Sequence, residues 1–317
     1  MKPMRKHLSF LLTLLLVGTL LLAGCAPRPG AGQGAVNTDE LYVDLPAILV
    51  QFDENGDAIV LGKPVAELKD ALGVDLSALS LGTETLDKFT ANNIQNIQIN
   101  NTPNVLRIYQ NGNPLPAIIW DADAMTALAA TLTSIGTDAS AIVSLVPLLP
   151  NLGVGLALQM PVPSGQQPIP LQTKGTALAS AQALQLFDAA KAAAASINLT
   201  LDYGADGQPA IGGINPFMLN MIGLQPAALA LPADQLESIA GMGIQSLGIK
   251  TIQGGGLLIT INGNTLPYLQ WSSADELNSM LGLAGAFAGP EMAATIQQLQ
   301  LIFNFPGISA TVTFPQS

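Results

Sequence analysis

The phrase NGNPLP at 111–116 returns as NGNTLP at 262–267, a shift of 151 positions. Each follows alternating apolar residues, and each precedes a tryptophan at the same distance, Trp120 and Trp271. An internal repeat of this length constrains the fold, because both copies must bury the same apolar pattern in the same way. The match extends well beyond the phrase. At the same shift, Ile48, Val50 and Phe52 fall on Leu199, Leu201 and Tyr203, Asn55-Gly56 on Asp206-Gly207, and Leu106 and Ile108 on Leu257 and Ile259. IQNIQI at 94–99 meets IQSLGI at 244–249 at a shift of 150, and GVGLALQMP at 153–161 meets GISATVTFP at 307–315 at 154. Small drifts of this kind are what loop insertions leave after a duplication.

The repeat predicts a domain of 41–162 and a second of 196–317. Between them, 163–195 reads as a Pro/Gly/Gln-rich linker followed by a connecting helix of high propensity, TALASAQALQLFDAAKAAAA. Asn-Gly and Asp-Gly between alternating apolar runs predict type I′ hairpins at 55–56, 111–112, 206–207 and 262–263. A helix is expected after each hairpin: KPVAELKDALG, DADAMTALAATL, NPFMLNMIG and SADELNSMLG. Asp121, Asn215 and Ser273 are candidate N-caps, and Gly73 and Gly223 candidate helix ends. Each copy also shows a short helix, at 84–91 or 234–241, then a strand, at 94–99 or 244–249. The expected fold is α+β: two tandem, duplicated domains of antiparallel hairpins, with helices packed on one sheet face.

The N-terminus is a different kind of segment. Lys2, Arg5 and Lys6 precede the apolar run LSFLLTLLLVGTLLL, and Leu22, Ala23, Gly24 and Cys25 close it. Basic, apolar and small-residue regions in that order mark a secretory signal. The closing tetrad resembles the lipobox of bacterial lipoproteins. The resemblance implies cleavage after residue 24, thioether diacylglycerol on Cys25, and a membrane partner reached through the acyl chains. Residues 1–24 are then signal, and 25–40 a flexible Pro/Gly-rich tether. Two or more acyl chains hold stably, each buried methylene contributing ~0.8 kcal/mol.

Three of the 11 basic residues lie in the leader, leaving eight against 22 acidic ones, a net charge of −14. So few cations cannot neutralise many phosphates, which argues against nucleic acid. Nor is there a polybasic patch for anionic lipid. His7, the single histidine, lies in the leader, and Cys25 is the single cysteine. Mechanisms needing a histidine base and the usual zinc sites are therefore excluded from the mature chain. No phosphate loop is found, and GGG at 254–256 precedes a strand rather than joining strand to helix, so no cofactor is expected. Asp53, Glu54 and Asp57 read as turn acids, without the ligand series of a calcium loop.

Two functions fit this inventory. One is a lipid-anchored, non-catalytic module of the cell envelope that engages another envelope component. The other is a carrier for an apolar or amphiphilic ligand. Trp120 and Trp271 are its candidate ligand wall, and Met218, Met221, Met242, Met280 and Met292 a candidate soft pocket. Both place the protein outside the cytoplasm. Mass spectrometry of the membrane-extracted protein is expected to find Cys25 at the mature N-terminus carrying a diacylglyceryl group. Cys25→Ser should abolish that mass increment and its membrane retention; an unmodified wild-type Cys25 would contradict the lipobox assignment.

Overall fold

The computed structural model describes residues 42–60, 62–67, 80–134, 155–171, 174–178, 180–213, 229–288 and 307–315. Cys25 and its lipobox, the helix candidate at 215–223 with its caps, residues 68–73 of the helix candidate at 63–73, and Met218, Met221 and Met292 lie outside them; Lys63 and Pro64, at the start of the latter candidate, are strand instead. The fold is mixed α/β with one large, mostly antiparallel sheet. Its first run comprises β1 (Tyr42–Phe52), β2 (Ala58–Val60), β3 (Lys63–Pro64), α1 (Thr83–Ala91), β4 (Asn96–Thr102), β5 (Val105–Gln110), β6 (Asn113–Pro114), β7 (Ala117–Ile119), α2 (Ala122–Ser134) and β8 (Gly155–Gln159). Strand β9 (Lys174–Leu178) and helix α3 (Ser180–Ala192) lead to the second run. That run comprises β10 (Ile197–Tyr203), β11 (Pro209–Gly212), α4 (Ala233–Gly241), β12 (Ser246–Ile252), β13 (Gly256–Ile261), β14 (Asn264–Thr265), β15 (Tyr268–Gln270), α5 (Ala274–Ala288) and β16 (Ile308–Thr313).

The strands follow one hydrogen-bonded path, β11-β10-β16-β12-β13-β15-β7-β5-β4-β8-β1-β2-β3, so the two runs share a sheet. Corresponding residues pair in corresponding ladders. Val50 pairs with Val60 as Leu201 pairs with Ile211. Ile48 pairs with Leu156, in parallel, as Leu199 pairs with Ala310. Ile97 meets Leu158 as Leu247 meets Val312, and Ile99 meets Ile108 as Ile249 meets Ile259. The runs join where β7 pairs with β15: Ile118 opposes Leu269, flanked by Ile119 with Tyr268 and Ala117 with Gln270. Residues 151 positions apart in the sequence, Ile118 and Leu269, thus face each other across this contact. The packing is reciprocal too, with α2 against β14 and α5 against β6.

Local chemistry explains most elements. Ala124 N–H donates to Asp121 Oδ1 at 2.7 Å, and Glu276 N–H to Ser273 Oγ at 3.3 Å, so both expected caps start their helices. Asn111 and Gly112 have φ of 49° and 81°, and Asn262 and Gly263 of 51° and 78°, as the I′ turn requires. The turns at 55–56 and 206–207 differ: only Gly56 and Gly207 have positive φ. At the first the Asp53 carboxylate accepts the N–H groups of Asn55 and Asp57, and at the second Asp206 Oδ1 accepts the Gln208 N–H, each drawing a longer loop with one left-handed residue. The expected connecting helix begins late, because Thr176–Leu178 belong to β9, paired with the start of β1.

Helices on a single sheet face are not what the structure has. Tyr268 and Leu269 are consecutive in β15 and point to opposite faces. Leu269 packs with Leu257, Leu277 and Leu281, the last two on α5. Tyr268 stacks on Phe187 of α3, with ring centroids 6.2 Å apart. At its centre the sheet therefore carries helices on both sides, and burial there pushes the Tyr268 hydroxyl up to about 12. The GGG segment has a structural role here. Gly255 has φ of 98°, and a Cβ on Gly256 would lie 2.0 Å from the Tyr268 oxygen.

One buried ion pair breaks the internal correspondence. Arg107 of β5 donates to Glu276 of α5 at 2.9 Å, and Glu276 also accepts the Ser272 N–H. Arg107 falls on Leu258 at the shift of 151, and Glu276 on Ala124 when the helices are aligned by their caps Asp121 and Ser273, a shift of 152; Leu258 and Ala124 are both buried in the main apolar cluster. Arg107→Ala should destabilise the chain by about 3–5 kcal/mol in urea unfolding, since it strands a buried carboxylate. Arg107→Leu with Glu276→Ala should recover most of that loss. A double variant as unstable as the single would show that the two sites are not interchangeable.

Candidate functional site

Strand β4 is buried along its whole length. Ile97 and Ile99 lie in the main core. Asn96, Gln98 and Asn100 occupy the alternate positions, and a chain of neutral amides would ordinarily face water. Here Gln98 is 2% exposed and Asn100 fully buried. What covers this face is the segment between the two runs. Ile169 N–H donates to Gln95 Oε1 at 2.8 Å, and Asn96 Nδ2 donates to the Ile169 carbonyl at 3.1 Å. Gln95 Nε2 also reaches Gln166 Oε1 at 3.2 Å. Pro168 and Pro170 hold this stretch extended, as do the restrictions they place on Gln167 and Ile169. Strand β9 then crosses close to β4 and β5.

The segment expected to be a linker is therefore a strap, fastened along its course. Ser180 donates to Asn104 Oδ1 at 2.6 Å. Lys191 pairs with Asp121 at 2.9 Å and with Asp188 at 2.8 Å, and sits 4.4 Å from the Phe187 ring centre. Its hydrogen bonds to Asp188 and Asp121 raise its pKa. At Asp121, burial pushes the carboxyl up, but the Ala124 N–H and Lys191 outweigh it and hold it low. Lys250, which corresponds to Asn100, donates to the carbonyls of Lys191 and Ala193 at 2.9 and 3.0 Å, capping the end of α3. Burial lowers its pKa.

The clasp is held from below by the phrase that repeats. Asn111 Oδ1 accepts the N–H groups of Gln95 and Asn96 at 2.9 and 3.1 Å, while its Nδ2 donates to the Asn93 carbonyl at 2.7 Å. Asn262 does the same for Gln245, Ser246 and Gly243, at 2.7, 3.1 and 2.8 Å. Beneath the strap, Gln98 Oε1 and Asn100 Nδ2 are buried with no hydrogen-bond partner among the described residues. A buried polar group left without a partner costs about 1–3 kcal/mol.

Trp120 and Trp271 are not brought together. Each is buried in an apolar cluster, the first in the main core and the second with Leu257, Leu277 and Leu281. Met280 packs against both clusters, and Met242 ends α4. Among the described residues no group of three or more His, Cys, Asp or Glu could hold a metal, and no helix is long and apolar enough to cross a membrane. Neutral amides bind by hydrogen bonding and supply neither a general base nor a nucleophile. Compared with protein-family models, curated proteins and solved structures, the chain shows no match.

Gln95→Ala removes the acceptor for Ile169 N–H and should cost about 1–3 kcal/mol. Limited proteolysis should then cut within 161–171 faster than in the wild type. Unchanged cleavage would mean that the strap is held by other contacts.

Proposed function

We propose that this chain is a lipoprotein, moored outside the cytoplasm by acyl chains on Cys25, that serves as a non-catalytic interaction module of the cell envelope. In this reading it arose by tandem duplication of one hairpin–helix unit. The duplication is supported by six strand ladders that recur in register and by the pairing of Ile118 with Leu269. The interaction role rests on one observation: beside β4 the sheet presents neutral hydrogen-bonding groups, Gln95 and Asn96, that already hold a segment of extended chain. Large apolar side chains are sparse at the surface. Leu49 and Ile197 are the exposed ones among the described residues. That distribution favours a polar partner over the carrier alternative.

The test pairs two measurements on the protein extracted from its membrane. Crosslinking in the intact envelope should recover a discrete polypeptide or polysaccharide partner. Native mass spectrometry should find no lipid beyond the covalent anchor. A stoichiometric co-purifying lipid without a crosslinked partner would establish the carrier reading instead.

A further inference from the structure

The strap occupies the first run, and the same clasp stands open in the second. Gln245 corresponds to Gln95 and Ser246 to Asn96, and Asn262 fixes their backbone with the three bonds that Asn111 makes at the first clasp. The neighbouring strand is placed alike as well: Met160 N–H donates to the Gln95 carbonyl at 2.8 Å, and Phe314 N–H to the Gln245 carbonyl at 2.9 Å. Gln245 therefore projects from the sheet at the position from which Gln95 grips Ile169. The surroundings differ in one respect. Gln95 is 4% exposed beneath the strap, whereas Gln245 and Asn262 are exposed and Ser246 is half-buried.

We propose that Gln245 and Ser246 form a docking site for an extended, uncharged polypeptide rich in proline and glutamine, supplied by a partner. The occupant is argued from the one the molecule already holds. Residues 163–171, PSGQQPIPL, carry no charge, and the first clasp binds them through neutral amides alone. The second clasp matches that neutrality. Gln245 keeps the donor and acceptor of Gln95, and the Ser246 hydroxyl can donate as Asn96 Nδ2 does. A proline-bearing chain is already extended when free, so docking orders it at small entropic cost. The proposal rests on the duplication reading, since that reading makes the two clasps equivalent.

The probe is a fluorescent peptide of residues 161–171, PVPSGQQPIPL, titrated into the full-length, detergent-solubilised protein. Saturable binding is expected, with a photocrosslink mapping to 244–246. Gln245→Ala with Ser246→Ala should weaken it at least tenfold while leaving the unfolding midpoint unchanged. Replacing Gln166 and Gln167 of the peptide by lysine and glutamate should weaken it similarly. Absence of binding, or a crosslink at 95–96 by exchange with the built-in strap, overturns the proposal. So does a Gln245/Ser246 variant that binds as well as the wild type, or binding that appears only as the protein self-associates. An experimental structure in which 42–160 and 197–314 superimpose, yet no peptide binds, would sink the docking site alone; failure to superimpose would remove its premise.

Discussion

The antiparallel contact between β7 and β15 is the constraint on which the architecture depends. Each strand is three residues long and borders its own run. Left alone, each would be an edge with unpaired backbone groups. Pairing the two satisfies both edges at once and turns two runs of strands into one sheet. The outer ends are blunted differently. β3 is two residues, Lys63 and Pro64, and β11 begins with Pro209. Proline cannot extend a ladder, so the sheet is closed to further growth where it ends and joined where it could have stayed open.

Around that contact the two runs pair their strands in similar ladders and differ in side chains. Asn100 of the first run lies in a buried amide strip, while Lys250 of the second caps the strap's helix. Arg107 grips Glu276, while Leu258 and Ala124 hold the corresponding places in the core. The segment between the runs crosses β4 and β5 of the first and ends against Lys250 of the second, so the two runs meet it differently. The buried pair also gives the junction a register, since a slip by one residue would leave a charge without a partner.

Much of the fold was legible in the residues. Asn-Gly at 111–112 and 262–263 marked I′ turns because both positions must accept positive φ, and Ser273 and Asp121 marked helix starts because free N–H groups need an acceptor there. The turns at 55–56 and 206–207 depart from that form because the Asp53 and Asp206 carboxylates accept backbone N–H groups within their own loops, local bonds that a dipeptide does not reveal. The alternation in β4 showed which face was core and concealed that the other was covered too. Asn96, Gln98 and Asn100 look like a wet face, and only a segment some seventy residues away in sequence makes it dry. The same segment read as a linker because proline and glycine break helices; that proline also presents extended chain for binding is a tertiary fact. Trp120 and Trp271 stand out by repetition, and both lie buried in apolar clusters.

The pairing of β7 with β15 can be measured directly through a single covalent bond. Opposed residues of an antiparallel pair bring their Cβ atoms to about 4.5–5.5 Å, close to the reach of a disulfide. In an I118C/L269C chain, mild oxidation should give rapid, intramolecular crosslinking, seen as a faster-migrating monomer on a non-reducing gel and as one linked peptide pair in its digest. Free thiols after oxidation, or dimers alone, would contradict the central claim.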